Sequence, residues 1–368
     1  MFRPCVKYEH RPVRLGEDRV QIGGRVHGVG AIIPDPDGWV WALLTLLDGT
    51  RTVDQVVADL VHHHPRHPAT EIADAIGELW QAGYLENAAA PEPPGLSLAE
   101  RERYGRSRAL WRWMDLAPRT TTWDAQLALR QARVTVIGVG GVGSTAALAL
   151  TASGVSTIHL VEPDTVELSN LNRQILYTEH DLGRPKVDAA IGRLRAHNRE
   201  VTVTGEQLLV DGPGVLRRLS AGCDVLLLAA DIPQDIRSWT NRACLDTGTA
   251  WVHGGYHGPR VNVGLFRPDS GPCYDCARTA TAERLAAEPP ITLWPAPADT
   301  EGVHATNAVT AGMAGNLAAH AVMSLITGAP ALPVNREYGI NLVTLQDTFA
   351  LDIQSARPDC PACGPSAV

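Results

Sequence analysis

The amino-acid sequence predicts an α/β protein whose larger part is a doubly wound, mostly parallel sheet, preceded by a small winged-helix-like α+β domain. Two observations lead to this prediction. From residue 133 to residue 231, segments with strand character alternate with helical segments, and a glycine-rich turn follows the first of these strands. Before residue 90, short strands and three short helices are expected instead. Regular alternation of strands and helices is typical of a parallel sheet with helices on both faces.

Composition limits the class of protein. The chain has 368 residues, 45% hydrophobic and 20% charged, with a formal net charge of −8 at pH 7. These values are typical of globular proteins, and the length suffices for two or three domains. We find no apolar run of the ~18–20 residues that a membrane helix needs, and no apolar core of a signal peptide at the start. We therefore expect a cytoplasmic protein without a membrane partner, and without a nucleic-acid partner because a broad basic field is missing.

Lysine is nearly absent from the chain. Of 32 basic residues, only Lys7 and Lys186 are lysine, and the others are arginine. With abundant alanine and glycine, this composition is typical of a GC-rich bacterial genome in which arginine replaces lysine wherever it can. A lysine that remains then marks a position that requires a compact ammonium group, and chance is the alternative explanation.

Residues 1–90 are predicted to form the first domain. The segment 20–34 has strand character with glycines at turns, and 39–49 is an apolar helix. Thr52 is expected to cap a second helix, and Thr70 a third. A buried face of the third helix is predicted by the helical spacing of Ile72, Ile76, Leu79 and Trp80.

A proline-rich linker at 88–100 ends this domain, and the second domain spans 101–368. The run VHHHPRH at 61–67 has the residues of a metal site. Pro65 within the run, Pro68 directly after it, and the position at a tip favour a solvated loop instead. A long packed helix is expected from the Ala/Gly-rich, apolar stretch at 305–327.

The second domain opens on a pattern that is typical of nucleotide binding. Directly after the strand VTVI comes a loop with the glycines Gly138, Gly140, Gly141 and Gly143. Small residues let the backbone approach a phosphate, and the following helix supplies free N–H groups and a positive dipole. The next strand ends in Glu162 and Asp164, where an acidic side chain is placed to bind ribose hydroxyls. A merely tight turn or a dehydrogenase is compatible with these residues alone.

Charged residues further along the chain argue against a dehydrogenase. Arg173 and Lys186 follow the second strand, and Asp231 stands at the end of the hydrophobic strand VLLLAA. Because a parallel sheet places ligands at the carboxyl ends of its strands, these side chains can converge on one crevice with the glycine loop. Cations and a carboxylate beside phosphates suit Mg²⁺-nucleotide chemistry. For each residue taken singly, a surface ion pair is the alternative.

Four of the seven cysteines form two C-x-x-C pairs, Cys273 with Cys276 and Cys360 with Cys363. In a cytosolic chain such pairs indicate metal binding or redox chemistry rather than structural disulfides. Four thiolates from two turns make a closed set suited to structural Zn²⁺, with no open position for catalysis. Redox-active or free thiols are the alternative.

The segments GVGGVGS, LVEPDTVELSNLNRQ, GRPKV and AAD follow each other in an order that resembles the ThiF/MoeB superfamily of adenylyltransferases, relatives of the ubiquitin-activating enzymes. The resemblance covers roughly residues 101–364, and RYGRS at 103–107 resembles the segment that opens these domains. It implies a Rossmann-like fold and adenylation: a carboxylate attacks the α-phosphorus of ATP and expels pyrophosphate. Members that form a thioester carry a cysteine after the first C-x-x-C pair. Residues 277–359 contain none, so we do not expect a thioester enzyme.

The resemblance also implies roles for individual residues. The glycine loop would hold the ATP phosphates, and Arg173 and Lys186 would contact them. Glu162 would bind the ribose and Asp231 the Mg²⁺ ion. Asn170 and Gln174 would support this pocket. Arg106 would reach into the site of the neighbouring subunit in a homodimer.

In two places the sequence departs from the family pattern. The ribose acid is usually aspartate, and Glu162 is one methylene longer. The residue after the metal-binding aspartate is often asparagine, and here it is Ile232.

The amino-terminal domain narrows the expected substrate. LLDGTRTVDQV at 46–56 resembles the PqqD-like fold that recognises leader peptides, and its fusion to an adenylating domain resembles microcin C-type peptide nucleotidyltransferases. This resemblance implies adenylation of the C-terminal carboxylate of a ribosomally made peptide in natural-product (RiPP) biosynthesis. Alternatives are an adenylyltransferase for a sulfur-carrier protein and a non-catalytic partner that presents leader peptides to a cyclodehydratase. An unrelated packing or dimerisation role of residues 1–90 also remains open.

Overall fold

The computed structural model describes residues 1–289, 305–345, 348–352 and 357–364. They form two compact units. The first contains Met1–Ala128 with Thr327–Ala331, and the second contains Leu129–Ile326 with Leu332–Val368. The first unit thus includes the helix after the proline-rich linker, which we assigned to the second domain. Of the cysteine-free stretch 277–359, residues 290–304, 346–347 and 353–356 lie outside the described residues.

Short strands and helices build the first unit. The strands are β1 (Pro4–Val6), β2 (Val13–Leu15), β3 (Arg19–Ile22), β4 (Ala31–Pro34) and β5 (Leu85–Asn87). β2, β3 and β4 form an antiparallel sheet in that order, and β1 pairs antiparallel with β5. The helices are α1 (Trp39–Leu46), α2 (Val53–His63), α3 (Ala69–Gln81) and α4 (Leu98–Met114), and then α5 (Asp124–Gln131), which runs across the unit boundary. This confirms the predicted small α+β arrangement.

Local sequence explains where these helices begin. Thr52 caps α2 in a capping box, in which its Oγ accepts from Gln55 N and Gln55 Oε1 accepts from Thr52 N. The prediction that Thr70 caps α3 is wrong, because α3 begins at Ala69 after Pro68 and has no side-chain cap. Proline fixes the backbone for a helix start on its own, so the threonine falls inside the first turn.

A hydrophobic core joins the sheet and the three helices of residues 1–90. The predicted face of α3 takes part through Ile72, Ile76 and Leu79, which are buried. The other buried members are Val20, Ile22, Val40, Leu43, Leu44, Leu47, Val56, Leu60, Tyr84 and Leu85. Burial of this many large apolar side chains is sufficient to order a small domain.

The second unit is built on an eight-stranded sheet. Its strands are β6 (Arg133–Ile137), β7 (Thr157–Val161), β8 (Thr202–Glu206), β9 (Val225–Leu228), β10 (Ala250–His257), β11 (Arg260–Phe266), β12 (Arg336–Asn341) and β13 (Thr348–Asp352). The spatial order is β13-β12-β11-β10-β9-β6-β7-β8. The pairings from β10 to β8 are parallel, and those from β10 to β13 are antiparallel. The prediction of a doubly wound, mostly parallel sheet is confirmed.

Helices connect the parallel strands. They are α6 (Gly141–Ala152), α7 (Lys186–His197), α8 (Pro213–Ala221) and α9 (Ile236–Thr247), followed by α10 (Tyr274–Ala286) and α11 (Ala308–Thr327). The chain runs outward from β6 to β8, and then returns to place β9 on the other side of β6. A ligand crevice is expected at such a reversal, outside the carboxyl ends of β6 and β9.

Helix α11 corrects the expectation that no apolar run is long enough to cross a membrane. It has 20 residues, a mean hydropathy of 1.4, and half of its apolar window buried. Ala311, Ala314 and Ala318 are fully buried, and Gly315 lies so close to α6 that a Cβ would come within 2.6 Å of the Val142 carbonyl oxygen. Its apolar composition is explained by small residues that allow close helix packing. This agrees with the packed helix predicted at 305–327. The cytoplasmic location stays a prediction.

Candidate active site

A cleft of about 390 Å³ lies in the second unit at the carboxyl ends of the parallel strands. It is lined by most of the residues that the sequence marked as a nucleotide site: Gly138, Gly140, Gly141, Glu162, Asp164, Arg173, Gln174, Lys186 and Asp231. The predicted convergence of the charged side chains on the glycine loop is therefore present. Gly143 and Asn170 do not line the cleft; they determine the backbone conformation of residues that do.

Two glycines are required by the geometry of the loop. Gly138 has φ of +85°, and a Cβ there would lie 2.7 Å from the carbonyl oxygen of Ala229 on the neighbouring strand. A Cβ on Gly143 would overlap the carbonyl oxygen of Gly138. Because the backbone atoms of the loop approach each other closely, α6 begins directly at the edge of the sheet, after Gly140. The helix has no side-chain cap. Its first N–H groups are thus not bonded to a capping side chain and suit an anionic ligand.

The glycine loop is held from two sides. The buried carboxylate of Glu162 accepts from Val139 N at 2.6 Å and from Asp164 N at 3.1 Å. Tyr177 donates its hydroxyl to the Val139 carbonyl oxygen at 2.8 Å. Burial, with the nearby Glu162 and Asp181 carboxylates, raises the pKa of Tyr177, so this side chain remains a neutral donor. We did not predict Tyr177 from the sequence, where it belongs to no motif.

Lys186 is the cation of the cleft. It begins α7, and its side chain is 7% exposed. Its Nζ lies 3.1 Å from Asp164 Oδ2 and 3.9 Å from Glu162 Oε1. The alternative of an ordinary surface ion pair does not fit a lysine that is buried at the wall of a cleft. An ammonium group here can neutralise phosphate charge at the end of β7.

The turn after β7 carries the next group of predicted residues. Arg173 lines the cleft and donates from Nη1 to the Ser169 carbonyl oxygen at 2.9 Å. Asn170 is buried, accepts from Glu167 N through Oδ1 at 3.1 Å, and so stabilises the turn. Gln174 is buried as well, and its Oε1 has no hydrogen-bond partner among the described residues. A buried acceptor without a partner at a cleft wall fits a site that takes a polar ligand.

Asp231 lies at the opposite wall, after β9. Its Oδ1 accepts from Arg237 Nη2 at 2.6 Å, and its side chain is 59% exposed. An exposed carboxylate beside a phosphate site fits Mg²⁺, which binds through one or two carboxylates and the phosphates of a substrate. Binding of the ion here would require Arg237 to share or release this oxygen. Arg237 is a residue that we missed, because nothing in its sequence context marks it.

An apolar wall completes the cleft. It is formed by Val161, Leu208, Leu209, Val210, Ile232 and Ile236. Ile232, where the resemblance leads us to expect asparagine, is 78% exposed. A wall of aliphatic side chains is suited to the flat face of a nucleobase. These residues follow no motif, so the sequence did not mark them as part of the site.

Arg106, the remaining predicted site residue, lies on α4 in the first unit and is exposed. Ser97 caps this helix in a capping box with Glu100. Leu110, one helical turn after Arg106, is 54% exposed, and Leu98, the first residue of the same helix, is 81% exposed. Arg106 is thus accessible at the surface of the first unit.

The four paired cysteines come together in the second unit. All four Sγ atoms lie within 4.8 Å of one another, and three of the distances are 3.3, 3.6 and 3.7 Å. A tetrahedral zinc ion with Zn–S bonds of about 2.3 Å places its sulfur atoms about 3.8 Å apart, whereas a disulfide needs about 2.05 Å. The cluster therefore fits a Zn²⁺ ion and is not a pair of disulfides. Among the described residues, the cysteine cluster is the one group of side chains that could hold a metal through three or more ligands.

The zinc-type cluster is anchored by a buried carboxylate. Asp275, between Cys273 and Cys276, is completely buried and accepts from the Ser238 hydroxyl on α9 at 2.8 Å. Arg242 and Arg278 lie 3.4 and 3.8 Å from its carboxylate. This contact fixes the first C-x-x-C turn against α9, as is usual for the surroundings of a structural metal site.

The fold and the cleft define a nucleotide-binding α/β enzyme with its ligand site at a topological switch point. The ThiF family model matches residues 114–362, and the chain belongs to the ThiF family. It is a ThiF-type adenylyltransferase, which confirms the resemblance seen in the sequence.

Two relatives illustrate the family. The SAMP-activating enzyme E1 of Haloferax volcanii is 32% identical over 67% of this chain and 85% of its own length. The sulfur carrier protein ThiS adenylyltransferase of Bacillus subtilis is 29% identical over 66% of this chain and 67% of its own length.

Solved structures extend the likeness to nearly the whole chain. Escherichia coli MccB aligns with a TM-score of 0.78 and 19% identity over 98% of this chain and 96% of that chain. MccB structures with ATP and, as the microcin C7 biosynthetic enzyme, with N-formylated MccA each give a TM-score of 0.72 and 20% identity over 98% and 99% of the two chains. At this level of identity the likeness shows a shared fold.

Proposed function

We propose that this adenylyltransferase activates the C-terminal carboxylate of a ribosomally made peptide in the biosynthesis of a peptide natural product. The observation that carries the proposal is the first unit, a folded module most of which precedes the family domain. The family model begins at residue 114, and the first unit runs to Ala128. A substrate that needs a recognition module as well as an ATP site explains why both are present in one chain.

The first unit has a surface suited to an extended peptide. β4 is an edge strand whose one partner among the described strands is β3. Its Ile32 side chain is exposed, which is unusual for a large apolar residue in a strand. An edge strand beside a helical layer can accept a peptide as an additional strand, with affinity from main-chain hydrogen bonds. The full-length likeness to MccB, whose structures include complexes with MccA, supports the same use of this unit.

At the ATP site, the role of each residue follows from its charge. Lys186 and Arg173 neutralise the phosphates, together with the N-terminus of α6. Glu162 accepts from the ribose, since its carboxylate has acceptor capacity left after its two backbone hydrogen bonds. Asp231 would hold Mg²⁺, which would supply further neutralisation of the phosphate charge. Gln174 donates or accepts at the pocket wall, while Asn170 keeps the turn in place.

The reaction needs alignment and charge neutralisation more than proton transfer. A peptide carboxylate is already ionised at neutral pH, so no general base is required. One carboxylate oxygen forms a bond to the α-phosphorus, the bond to the bridging oxygen breaks, and pyrophosphate leaves. Arg106 of a second copy completes the neutralisation, and the exposed Leu110, one helical turn further along α4, forms part of the dimer contact. Cys273, Cys276, Cys360 and Cys363 would hold a zinc ion, which would tie the chain near residue 360 to the first C-x-x-C turn and supply stability rather than chemistry.

A sulfur-carrier protein is the competing substrate, because the 32% identical Haloferax enzyme and the Bacillus enzyme are named for carrier proteins. The test is ATP–pyrophosphate exchange by the full chain with three acyl donors. These are the peptide encoded by a short reading frame beside this gene, a short fragment of its C-terminus, and a ThiS-type carrier protein.

We expect exchange with both peptides, with a KM about tenfold or more higher for the fragment, because the module raises the local concentration of the full peptide. The carrier protein should support none. Exchange with the carrier protein alone would overturn the peptide assignment, and no exchange with any donor would favour a non-catalytic leader-presenting partner.

A further inference from the structure

A buried cluster of charges in the first unit is not used by the proposed reaction. It joins the segment directly after β1, and the strand β5, to the C-terminal turn of α4 and the segment after it. The cluster contains three basic and three acidic residues: Lys7, Arg112, Arg119, Glu9, Glu86 and Asp115. Lys7 is one of the two lysines that the composition singled out.

The contacts are direct and close. Lys7 Nζ donates to the main-chain oxygen of Asp115, the C-cap of α4, at 2.7 Å. Arg112, in the last turn of α4, lies 2.9 Å from Glu86 and 3.3 Å from Glu9. His10 adds a contact of 3.1 Å to the carbonyl oxygen of Trp113. Residues 7–10, directly after β1, and Glu86 of β5 therefore hold both the side chains and the terminal carbonyl groups of α4.

Beyond the helix, the Asp115 side chain continues the cluster. Both of its oxygens accept from Arg119, at 2.6 and 3.2 Å, and Arg119 also donates to the Thr327 carbonyl oxygen at 2.9 Å. All of these residues belong to the first unit.

The cluster leaves little space. Lys7 is 4% exposed, and the cavity beside it measures about 20 Å³, the space of one water molecule. Burial lowers the pKa of Lys7 and raises the pKa of Glu86. A guanidinium group at position 7 would need more room than this cavity gives, and it would meet the guanidinium groups of Arg112 and Arg119. A compact ammonium group fits, which explains why lysine remains here in an arginine-rich chain.

We propose that this cluster positions Arg106: through Lys7 and Arg112, the amino-terminal module fixes the helix whose arginine completes the adenylation site of the neighbouring subunit. The inference rests on the proposed role of Arg106.

The helix α4 is anchored at both ends. Near its start, Arg101 donates to the carbonyl oxygens of Leu96 and Pro93 at 3.1 and 3.0 Å. At its end, the cluster holds residues 112–115. Arg106 lies between the two anchors, about 9 Å along the axis from Arg112 at the usual rise per residue. Release of either anchor lets a rigid helix tilt, and a displacement of about 1 Å at a reacting centre costs up to about 100-fold in rate.

A double-mutant cycle tests the inference, with the variants Lys7→Met, Arg106→Ala and both together, measured as kcat for ATP–pyrophosphate exchange in the full chain. We expect Lys7→Met to lower kcat about 10–100-fold, with KM for ATP changed less than about twofold and the circular dichroism of the folded protein retained. In the Arg106→Ala background, Lys7→Met should have no further effect, because its action passes through Arg106. The matched control is Arg217→Met, which removes an exposed ion pair, to Asp246, outside the cleft lining, α4 and the amino-terminal module.

Additive losses in the double variant would overturn the inference, as would a loss of kcat that only follows the loss of folded protein. If Lys7→Met does not fold, Glu9→Gln removes one charge of the cluster at constant shape and takes its place in the same cycle. Full exchange activity in Arg106→Ala alone would instead refute the proposed role of Arg106, so the two failures are distinguishable.

Discussion

Lys7 and Lys186 are almost equally buried, with 4% and 5% of each residue exposed, and they lie in different units. Lys186 faces two carboxylates at the wall of a cleft of about 390 Å³. Lys7 bonds a helix C-terminus beside a cavity of about 20 Å³. The two lysines differ in the space around the ammonium group. Lys186 has room beside it for a substrate phosphate, whereas Lys7 is enclosed by its protein contacts.

Removal of the cleft lysine should have the largest effect on activity. We expect Lys186→Ala to lower the rate of ATP–pyrophosphate exchange about 10²–10³-fold, as is usual when a preorganised charge is removed from a transition state. Thermal unfolding of the variant should remain close to that of the wild type. Exchange at the wild-type rate would exclude Lys186 from the reaction.

Removal of metal-binding thiols should act on stability instead. The protein should contain about one Zn²⁺ per chain by elemental analysis, and Cys360→Ser should lose the metal. Because loss of a structural metal costs folding free energy, the variant should melt several degrees lower or fail to fold. Retention of full stability in a metal-free chain would contradict the zinc assignment. Cys244→Ser is a suitable control, because that thiol is buried outside the cluster.

Conversion of each lysine to arginine gives the sharpest contrast between the two positions. Lys7→Arg overpacks a closed site and should reduce the free energy of unfolding by about 1–3 kcal/mol. Lys186→Arg has the open cleft to enter and should leave the melting temperature nearly unchanged while it lowers the exchange rate. Differential scanning calorimetry of both variants measures the change in stability. An unchanged melting temperature in Lys7→Arg would refute the conclusion that the site around Lys7 is too small for a guanidinium group.

An exposed ion cluster of the first unit should have the smallest effect. His67 lies 2.7 Å from Asp37 and 3.1 Å from Glu71 and stacks on Trp39. The hydrogen bond to Asp37, with that to Glu71, raises the pKa of His67. A raised pKa gives stability that is fully present below the unfolded value of about 6.5 and is lost as the pH rises through the folded value. His67→Gln should therefore weaken the first unit at pH 5.5 and hardly at pH 8.5, and an equal effect at both pH values would contradict this.

The sequence was sufficient for the fold class and for most of the cleft, since strands, glycines and charged residues there follow local patterns. Gly138, Lys186 and Asp231 each stand at a strand or helix end that periodicity marks. Arg237 and the wall at 208–210 carry no pattern, because their position depends on how α9 and the end of β8 pack. Thr70 was assigned to the wrong position because a helix start after proline needs no side-chain cap.

Lys7 shows more clearly which contacts cannot be predicted from local sequence patterns. Composition marked it as unusual, yet its partner Asp115 is 108 residues away along the chain. No local pattern predicts a contact across that separation. The same holds for Tyr177, whose partner Val139 is 38 residues distant.

The central claim is that the chain transfers AMP to a peptide carboxylate. The most direct measurement is ATP–pyrophosphate exchange with the peptide encoded beside this gene, prepared with a free C-terminus and as the C-terminal amide. We predict exchange with the free acid, none with the amide, and exchange with the free acid lowered about 10²–10³-fold in Lys186→Ala. Exchange that proceeds equally with the amide would show that the C-terminal carboxylate is not the nucleophile and would contradict the account.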